Sequence, residues 1–340
     1  MTATMRAMVL ERPGRVATRP LVLREMARPE AAPGMLVLRV HACGVCRTDL
    51  QLSEGDLEAR ALPIVPGHQV VGTVESVGEG VEAAGETSWR PGDRAGVAWL
   101  GSACGVCALC RSGRENLCER ACFTGWDVNG GYATHVAVRA DYALRLPPAF
   151  DDLAAAPLLC GGVIGYRSFK RSGVKPGETL GLYGFGASAH ITIQVARYFG
   201  CRVFVATRAE RDRERARALG AEWAGGYDDL PPEPLDGAIT FAPSGDVVRS
   251  ALRALGRGGT VAINAIHLDR LPQMPYADLW WERSLASVAN FTRVDAREFL
   301  ELAARIPVRT AFETHPLEEA NAALERLDSG FVDGAAVLVT

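Results

Sequence analysis

The chain has 340 residues and a formal net charge of −3, with 48% of its residues hydrophobic and 23% charged. This length allows two domains, because single domains usually span about 100–200 residues. A nearly neutral chain of ordinary composition gives no support for nucleic acid or a membrane surface as a partner. We find no signal peptide and no apolar run of the ~18 residues that a spanning helix needs, so we expect a cytoplasmic protein.

The first 145 residues are rich in short β-prone runs, and Pro-Gly pairs separate several of them. Such runs with turn residues between them are typical of an antiparallel barrel or sandwich, and not of alternating strands and helices. The predicted strands are Met8–Leu10, Leu21–Glu25, Leu36–Val45, Val70–Val77, Arg94–Trp99 and Tyr132–Val138.

From Asp151 the pattern turns helical, and from Thr179 to about Thr292 strands and helices alternate. This alternation indicates a parallel, doubly wound sheet. Its predicted elements are strand Leu180–Tyr183, helix Ser188–Phe199, strand Arg202–Ala206, helix Arg211–Leu219, and strands Gly237–Phe241, Thr260–Ile263 and Leu285–Ala289. Helices Asp295–Ala304 and Leu317–Leu327 and strand Ala335–Val339 are predicted to complete the chain.

The segment after the third predicted strand concentrates reactive side chains. Cys46-Arg47-Thr48-Asp49 places a thiolate, a cation, a hydroxyl and a carboxylate in four consecutive residues. A guanidinium suits a phosphate, and a hydroxyl can pass a proton. An imidazole follows at His68 and a second thiolate at Cys160. Since a catalytic zinc needs three protein ligands and one open position, we predict a zinc ion held by Cys46, His68 and Cys160.

Cys43 leaves a second ligand set open. It lies three residues before Cys46, so a Cys43/Cys46 pair competes with the set that uses Cys160. Nine cysteines in a chain of this kind favour metal binding over disulfides, and the odd number fits a disulfide framework poorly.

Four further cysteines form a separate group in the loop at about residues 101–120. Their spacing is Cys104-x2-Cys107-x2-Cys110-x7-Cys118, and four thiolates at such spacing can close a tetrahedron round one zinc ion. An iron–sulfur cluster uses similar spacing, but no proline follows the fourth cysteine. Four unrelated buried thiols are the remaining alternative. We predict a closed structural zinc site that stabilises the loop and does no chemistry.

A glycine-rich loop follows the strand Leu180–Tyr183 and opens the next predicted helix. It reads Gly184-Phe185-Gly186-Ala187-Ser188-Ala189, the pattern G-x-G-x-x-A. Gly184 allows the tight turn and Gly186 lets the backbone approach a pyrophosphate, which then lies at the helix N-terminus. We predict that this loop, including Ala187 and Ser188, binds a dinucleotide.

The end of the next strand bears on the type of dinucleotide. NAD-binding sites usually carry an acid here, which accepts a hydrogen bond from the ribose 2′-hydroxyl, whereas this chain has Thr207-Arg208. A hydroxyl and a guanidinium are suited to a 2′-phosphate, so we predict NADP in preference to NAD. The alternative is that Arg208 is a solvated residue of an arginine-rich chain.

Taken together, these motifs and their order resemble the zinc-dependent alcohol dehydrogenases of the medium-chain dehydrogenase/reductase superfamily. The resemblance covers essentially the whole chain, and Gly96–Leu100 and Thr124–Asp127 are similar to a bacterial branch. It implies a doubly wound parallel Rossmann sheet inserted into a GroES-like antiparallel β-barrel domain. We therefore expect residues 1–160 and 294–340 to form the catalytic domain and residues 161–293 the coenzyme domain.

The resemblance also implies roles for individual residues. It selects Cys46 over Cys43 as the ligand, lets Asp49 brace His68, and lets Arg47 meet the cofactor pyrophosphate. Thr48 is then the group that accepts the alcohol proton. The matching family positions further imply a substrate pocket that includes Ser53, Trp99, Leu100 and Trp126.

Two residues depart from the family pattern. Gln69 stands where the family usually has a glutamate that can transiently bind zinc, and an amide is a poorer, neutral ligand. Gln51 stands where a histidine often ends the proton relay. Because Gln51 cannot titrate, we expect proton release to depend less on pH or to run through the cofactor ribose and water.

The implied function is hydride transfer between a primary alcohol or aldehyde and NADP(H), with two zinc ions per chain. A polyol or sugar dehydrogenase of the same superfamily is the alternative enzyme, and a zinc-stabilised NADP-binding protein with little turnover is the alternative from another class. Family analogy implies a homodimer or homotetramer acting on a small-molecule substrate, whose identity the sequence does not give.

Overall fold

In a computed structural model, residues 3–81, 88–330, 332 and 334–340 are described. The chain divides into two compact units. We call the first the β unit, formed by Met1–Cys160, Phe291–Ala304 and Thr310–Thr340, and the second the α/β unit, formed by Gly161–Asn290 and Arg305–Arg309. The domain boundaries expected from the sequence, at 160/161 and 293/294, stay predictions.

The β unit begins with strands and three short helices. Its first elements are β1 (Thr4–Leu10), β2 (Leu21–Ala27), β3 (Met35–Val45), α1 (Arg47–Glu54), β4 (Gln69–Val77), β5 (Arg94–Val97), β6 (Leu100–Ser102), α2 (Ala108–Arg111), β7 (Cys122–Phe123), β8 (His135–Arg139), β9 (Leu144–Arg145) and α3 (Asp152–Ala155). A 3₁₀ turn, Ala156–Leu159, leads from α3 to Cys160.

The α/β unit follows, with helices between its strands. It contains α4 (Gly161–Ser172), β10 (Thr179–Tyr183), α5 (Ala187–Tyr198), β11 (Arg202–Ala206), α6 (Glu210–Ala218), β12 (Trp223–Gly225), β13 (Leu235–Thr240), α7 (Gly245–Ala254), β14 (Leu255–Ile263), α8 (Tyr276–Leu279) and β15 (Ser284–Ser287). The chain ends with α9 (Arg293–Arg305), β16 (Phe312–Pro316), the 3₁₀ turn Leu317–Glu319, α10 (Ala320–Ser329) and β17 (Ala335–Val339).

The main sheet of the β unit has the order β16-β17-β3-β4-β5-β9, with β8 paired to β3 as well. All its pairs are antiparallel except β16 with β17. β3 is the longest strand, with 11 residues, and most of its side chains are buried. Since β3 pairs with three strands, it carries the core of the unit and delivers Cys46 at its end.

The α/β unit has one six-stranded sheet in the order β12-β11-β10-β13-β14-β15, and every pair in it is parallel. The neighbouring inner strands β10 and β11 read TLGLY and RVFVA, and nine of their ten residues are buried. Continuous apolar runs are what parallel strands covered on both faces require. The predicted combination of an antiparallel β domain and a doubly wound parallel sheet is confirmed.

The sequence reading missed α1. Its eight residues, RTDLQLSE, include no long apolar stripe, and the strand-rich context favours a loop. The helix forms because Cys46 and Asp49 cap its first turn and Gly55 ends it at a φ of 89°. No helix in the described part of the chain has the length and apolar composition needed to cross a membrane.

Candidate active site

Three candidate zinc ligands converge in the β unit from three separate segments. Cys46 is the N-cap of α1, His68 directly precedes β4, and Cys160 follows the 3₁₀ turn Ala156–Leu159. Their ligand atoms lie within 4.8 Å of one another, and Cys46 Sγ is 3.2 Å from His68 Nε2. The register of β3 with β4, in which Gly44 pairs with Gln69, brings the first two residues together.

Cys43 points elsewhere. It is fully buried, and its Sγ packs against the loop backbone, only 2.9 Å from where a Cβ on Gly67 would lie. Among the described residues it does not join the group of Cys46, His68 and Cys160. The geometry therefore groups Cys46 with Cys160 and leaves Cys43 as a packing residue.

The three candidate ligands have shifted pKa values, and the shifts differ in direction. A hydrogen bond from Cys160 stabilises the Cys46 thiolate and lowers the pKa of Cys46 to about 5, while the same bond and burial raise the pKa of Cys160 well above its usual value. Burial lowers the pKa of His68, but the Cys46 thiolate and the Asp49 carboxylate outweigh it and raise that pKa well above its usual value. A divalent cation replaces such protons when it binds, and two thiolates with one imidazole are soft donors that suit zinc.

Asp49 connects these ligands through hydrogen bonds. Its side chain is 2% exposed and accepts from the backbone N–H of Cys46 at 2.9 Å and of Gly67 at 3.2 Å. Its Oδ1 also lies 3.3 Å from His68 Nδ1. A carboxylate on Nδ1 fixes the imidazole so that Nε2 faces Cys46, which is the arrangement that a histidine metal ligand needs.

The remaining candidate catalytic residues lie on α1. Thr48 is half-buried in its first turn, and Gln51 follows one turn later on the same face. Gln51 is 7% exposed, and its Oε1 is buried with no hydrogen-bond partner in the described structure. Arg47 is exposed, 3.9 Å from Asp328. An unpaired buried acceptor at Gln51 suits a hydroxyl donor of a ligand.

An aromatic cluster lies beside His68. The ring of Trp99 is 6.0 Å from His68 and stacks on Trp126 at 5.7 Å. Phe123, which the sequence reading did not single out, lies 4.7 Å from Trp99, and Arg60 covers Trp126 at 3.8 Å. Trp99 Nε1 is buried without a hydrogen-bond partner among the described groups. The cluster offers an apolar surface next to the candidate metal site.

Two predicted pocket residues have a different environment. Ser53 is fully buried and its hydroxyl donates to the Asp49 carbonyl at 2.7 Å within α1. Leu100 is 2% exposed in the core at the start of β6. This burial gives no support to a pocket role for either side chain.

The four-cysteine group has the geometry of a closed metal site. The sulfur atoms of Cys104, Cys107, Cys110 and Cys118 lie within 4.8 Å of one another. Backbone N–H groups of Val106 and Cys107 stabilise the Cys104 thiolate and lower its pKa to about 5. Burial and a hydrogen bond with Cys107 raise the pKa of Cys110 to about 12. Four thiolates in this arrangement suit a tetrahedral zinc ion.

Glu115 anchors this loop, and sequence reasoning missed it. The residue is 5% exposed, and its carboxylate accepts from the backbone N–H of Arg293, the first residue of α9, at 3.0 Å. An acid at a helix N-terminus satisfies an otherwise unpaired N–H and favours the helix dipole. A glutamate inside a cysteine-rich loop was the available signal, but its partner lies 178 residues away.

In the α/β unit, the glycine loop joins β10 to α5. Gly184 has a φ of 95°, which a side chain would strain, and a Cβ at Gly186 would meet nothing within 4 Å. Gly186 is the exposed N-cap of α5, and Ala187 and Ser188 form the first turn of that helix. The open position at Gly186 leaves room at the N-terminus of α5, where a helix can bind an anion.

The end of β11 differs from the expectation at Thr207. This residue is 3% exposed, so its side chain is buried within the unit. Arg208 is exposed. Arg213 fixes the turn by donating to the carbonyls of Thr207 at 2.9 Å and Arg208 at 3.2 Å. Of the two predicted phosphate contacts, only Arg208 has a geometry that supports the role.

Two family models and several known proteins are similar to this chain. Residues 32–148 match the family model of the alcohol dehydrogenase GroES-like domain, and residues 189–305 match that of the zinc-binding dehydrogenases. The chain is 49% identical over 339 residues to a probable alcohol dehydrogenase, AdhA, of Mycobacterium tuberculosis, covering 99% of this chain and 98% of the relative. It is 36% identical over 331 residues to an alcohol dehydrogenase of Geobacillus stearothermophilus, covering 94% and 96%.

Solved structures give the same fold. A cobalt- and zinc-bound thermostable alcohol dehydrogenase from Pyrobaculum aerophilum is 25% identical with a TM-score of 0.90, covering 99% of this chain and 100% of that one. A cinnamyl alcohol dehydrogenase from Sorghum bicolor is 26% identical with a TM-score of 0.88, covering 99% and 98%.

The close packing before His68 gives a testable prediction. A Cβ on Gly67 would lie 2.4 Å from Tyr132 Cδ1, and Gly67 has a φ of 96°. We expect Gly67→Ala to destabilise the protein by about 2 kcal/mol or more, because backbone strain adds to overpacking. Thermal unfolding of this variant and of the control below measures the effect.

Gly80→Ala is the matched control. Gly80 has a φ of 79°, but a Cβ there meets nothing within 4 Å, so this variant carries the backbone strain alone, about 1 kcal/mol. Equal losses of melting temperature for the two variants would contradict the packing argument.

Proposed function

The chain belongs to the zinc-dependent alcohol dehydrogenases of the medium-chain dehydrogenase/reductase superfamily, and on that basis we propose that it transfers a hydride between a primary alcohol or aldehyde and NADP(H). The observation that carries the proposal is the convergence of Cys46, His68 and Cys160 within 4.8 Å. Two thiolates and one imidazole leave a fourth position for substrate, as in catalytic zinc sites.

Several residues of the β unit have separate roles in the proposed reaction. Cys46, His68 and Cys160 would hold a zinc ion, which would supply the Lewis acid that makes an alcohol easier to deprotonate. Asp49 keeps His68 in the orientation that ligation needs. The Thr48 hydroxyl accepts the proton of the alcohol and passes its own proton on toward the solvent, so that it relays the proton and does not store it.

Two uncharged side chains complete this site. Gln51, one turn beyond Thr48, offers its unpaired Oε1 to the next hydroxyl in the proton path. Gln69 is 3% exposed and packs over Gly44, where a Cβ would lie 2.8 Å from its amide carbon. A glutamate there would add a buried negative charge at the residue next to His68, whereas the amide adds none.

The charged residues that follow β11 support a preference for NADP over NAD. Within the described structure, no ion pair engages the exposed Arg208 guanidinium. The acid nearest to it along the helix, Glu210, is paired with Arg213 at 2.7 Å and Arg217 at 3.0 Å. Glu210 is therefore a poor acceptor for the ribose 2′-hydroxyl of NAD, while Arg208 can pair with a 2′-phosphate.

The aromatic cluster supports a preference among substrates. Trp99, Phe123 and Trp126 present apolar surface beside His68. Such a surface favours medium-length aliphatic or aromatic aldehydes over highly hydroxylated polyols, because a polyol would leave its hydroxyl groups without hydrogen-bond partners.

Initial rates of aldehyde reduction test the proposal directly. With butanal and benzaldehyde as substrates, we expect turnover with NADPH at least about tenfold faster than with NADH, because Arg208 pairs with the 2′-phosphate. Arg208→Gln should raise KM for NADPH about tenfold and leave KM for NADH unchanged, since an ion pair to a phosphate is lost.

Other outcomes separate the parts of the proposal. A preference for NADH in the wild-type protein would reject NADP and keep the alcohol dehydrogenase. Absence of turnover with either cofactor, in protein that carries two zinc ions, would instead favour a nucleotide-binding protein with little activity.

Zinc removal provides a second prediction. We expect two zinc ions per chain, of which a chelator first removes the one held by three residues, because its open position admits a competing ligand. Cys46→Ser should retain one zinc ion and lose activity by about 100-fold, with little change in melting temperature.

Cys107→Ser is the matched variant at the four-cysteine group. It should also retain one zinc ion, but its melting temperature should fall because that zinc stabilises the loop. Elemental analysis with calorimetry measures both effects. A single zinc ion in the wild-type protein, or the same thermal loss in both variants, would contradict these roles.

We further propose that two copies of the chain associate through the α/β unit. β15 is an edge strand of its sheet, and the preceding segment exposes Tyr276, Trp280 and Trp281 by 68%, 50% and 47%. Their rings contact one another at 5.6 Å. Exposed aromatic clusters beside an unpaired strand edge are typical of interfaces between chains.

Light scattering after gel filtration tests this interface. The wild-type protein should have at least twice the 36.4-kDa mass of the chain, and Trp280→Glu should lower that mass because a charge enters an apolar contact. Tyr198→Glu, at another exposed aromatic of the same unit, should leave the mass unchanged. A monomeric wild-type protein would reject the interface.

A further inference from the structure

Tyr132 is one of the largest fully buried side chains of the chain. Its hydroxyl oxygen is also buried, and no group in the described structure makes a hydrogen bond of normal geometry with it. A polar atom left unpaired inside a protein costs about 1–3 kcal/mol. A phenylalanine would fill the same space without that cost, so packing alone does not account for the hydroxyl.

The backbone of Tyr132 is fixed to the loop that carries His68. Gly131 N–H donates to the Gly67 carbonyl at 2.9 Å, and Tyr132 N–H donates to the Pro66 carbonyl at 3.0 Å. On the other side, the Tyr132 carbonyl accepts from Met8 of β1 at 2.8 Å. The segment therefore forms a support between β1 and the Pro66–His68 loop.

The ring of Tyr132 packs directly on Gly67. A Cβ on that residue would lie 2.4 Å from Cδ1 and 2.8 Å from Cε1 of the ring. Only a glycine backbone can approach the ring so closely, and Gly67 also donates its N–H to Asp49 at 3.2 Å. The ring therefore fixes the position of Gly67, the residue that precedes His68.

The Asp49 carboxylate is close enough to the Tyr132 hydroxyl to act on it electrostatically. Burial and that carboxylate raise the pKa of the hydroxyl well above its usual value, so it keeps its proton at neutral pH. Asp49 already accepts from Cys46 and Gly67 and contacts His68. An ionised carboxylate has about four acceptor positions, so one remains for an O–H donor.

We propose that Tyr132 is a positioning residue for the metal ligand His68, acting through its ring on Gly67 and through its hydroxyl on Asp49. The ring fixes the backbone that carries the imidazole, and the hydroxyl fixes the carboxylate that holds Nδ1. The inference rests on the proposed zinc site at His68, and metal binding can be measured apart from turnover.

Tyr132→Phe in the full-length, zinc-loaded protein is the first test. The variant keeps the ring on Gly67 and removes only the hydroxyl that we propose acts on Asp49. We expect zinc affinity at the three-ligand site to fall about tenfold, as is typical when a partner of a metal ligand is lost. Competition with a chromogenic chelator measures this affinity, and the visible spectrum of the cobalt-substituted protein should shift as the ligand geometry relaxes.

Tyr142→Phe is the matched control. Tyr142 is 6% exposed in the same unit and packs under Arg293, remote in sequence from the ligand segments. Its loss should leave zinc affinity and the cobalt spectrum unchanged. If Tyr132→Phe also retains the wild-type affinity and spectrum, Tyr132 is a packing residue and the inference is wrong.

A double-mutant cycle with Asp49→Asn tests the route of action. If Tyr132 acts through Asp49, adding Tyr132→Phe to the Asp49→Asn variant should change zinc affinity less than about twofold, because the two losses are not independent. Additive losses would reject this route. These readings do not use turnover, so an inactive wild-type protein that binds zinc normally would count against the proposed function and leave this inference standing.

Discussion

The buried carboxylate of Asp49 is the interaction on which the β unit's site depends. It caps the first turn of α1 through the Cys46 N–H, accepts from the Gly67 N–H and holds His68 Nδ1. A buried charge is tolerated only when such donors replace water. Because the same carboxylate forms the helix and orients the imidazole, the local fold and the metal site cannot be separated: a change that frees Asp49 removes both the cap and the ligand geometry.

The candidate sites of the two units consist of different chemical groups, which are side chains in the β unit and main-chain N–H groups in the α/β unit. In the β unit, three side chains from distant segments must meet, and their positions depend on the β3–β4 register and on supports such as Tyr132. In the α/β unit, the proposed anion site consists of main-chain N–H groups at the start of α5, which depend on Gly184 and Gly186 and not on side chains from distant segments. Side chains there would act mainly in discrimination between NADP and NAD, as we propose for Arg208. We therefore expect substitutions to affect metal binding in the β unit more sharply than nucleotide binding in the α/β unit.

The sequence predicted the fold class and most strands because alternation, turn residues and cysteine spacing are local signals. Strands β11 and β17 even have the predicted bounds. It missed α1, whose stability comes from capping by Cys46 and Asp49 instead of an apolar stripe. It also missed Glu115, Phe123 and Tyr132, because their roles depend on partners far away in the chain. Thr207 was expected at a phosphate, but the residue is only 3% exposed. Burial of a single polar side chain depends on tertiary packing that no local pattern records.

The two glutamines follow from the charge that this site already holds. With a divalent cation bound, the thiolates of Cys46 and Cys160 balance its charge, and the buried Asp49 leaves the cluster with one net negative charge. A glutamate at position 69 would raise that to two in an environment 3% exposed, where unpaired charge is costly. Gln69 and Gln51 instead contribute dipoles that do not titrate near neutral pH. In the proposed mechanism no side chain of the site therefore changes its charge when the proton of the alcohol leaves through Thr48, and we expect the substrate and the solvent, and not a relay histidine, to set the pH dependence.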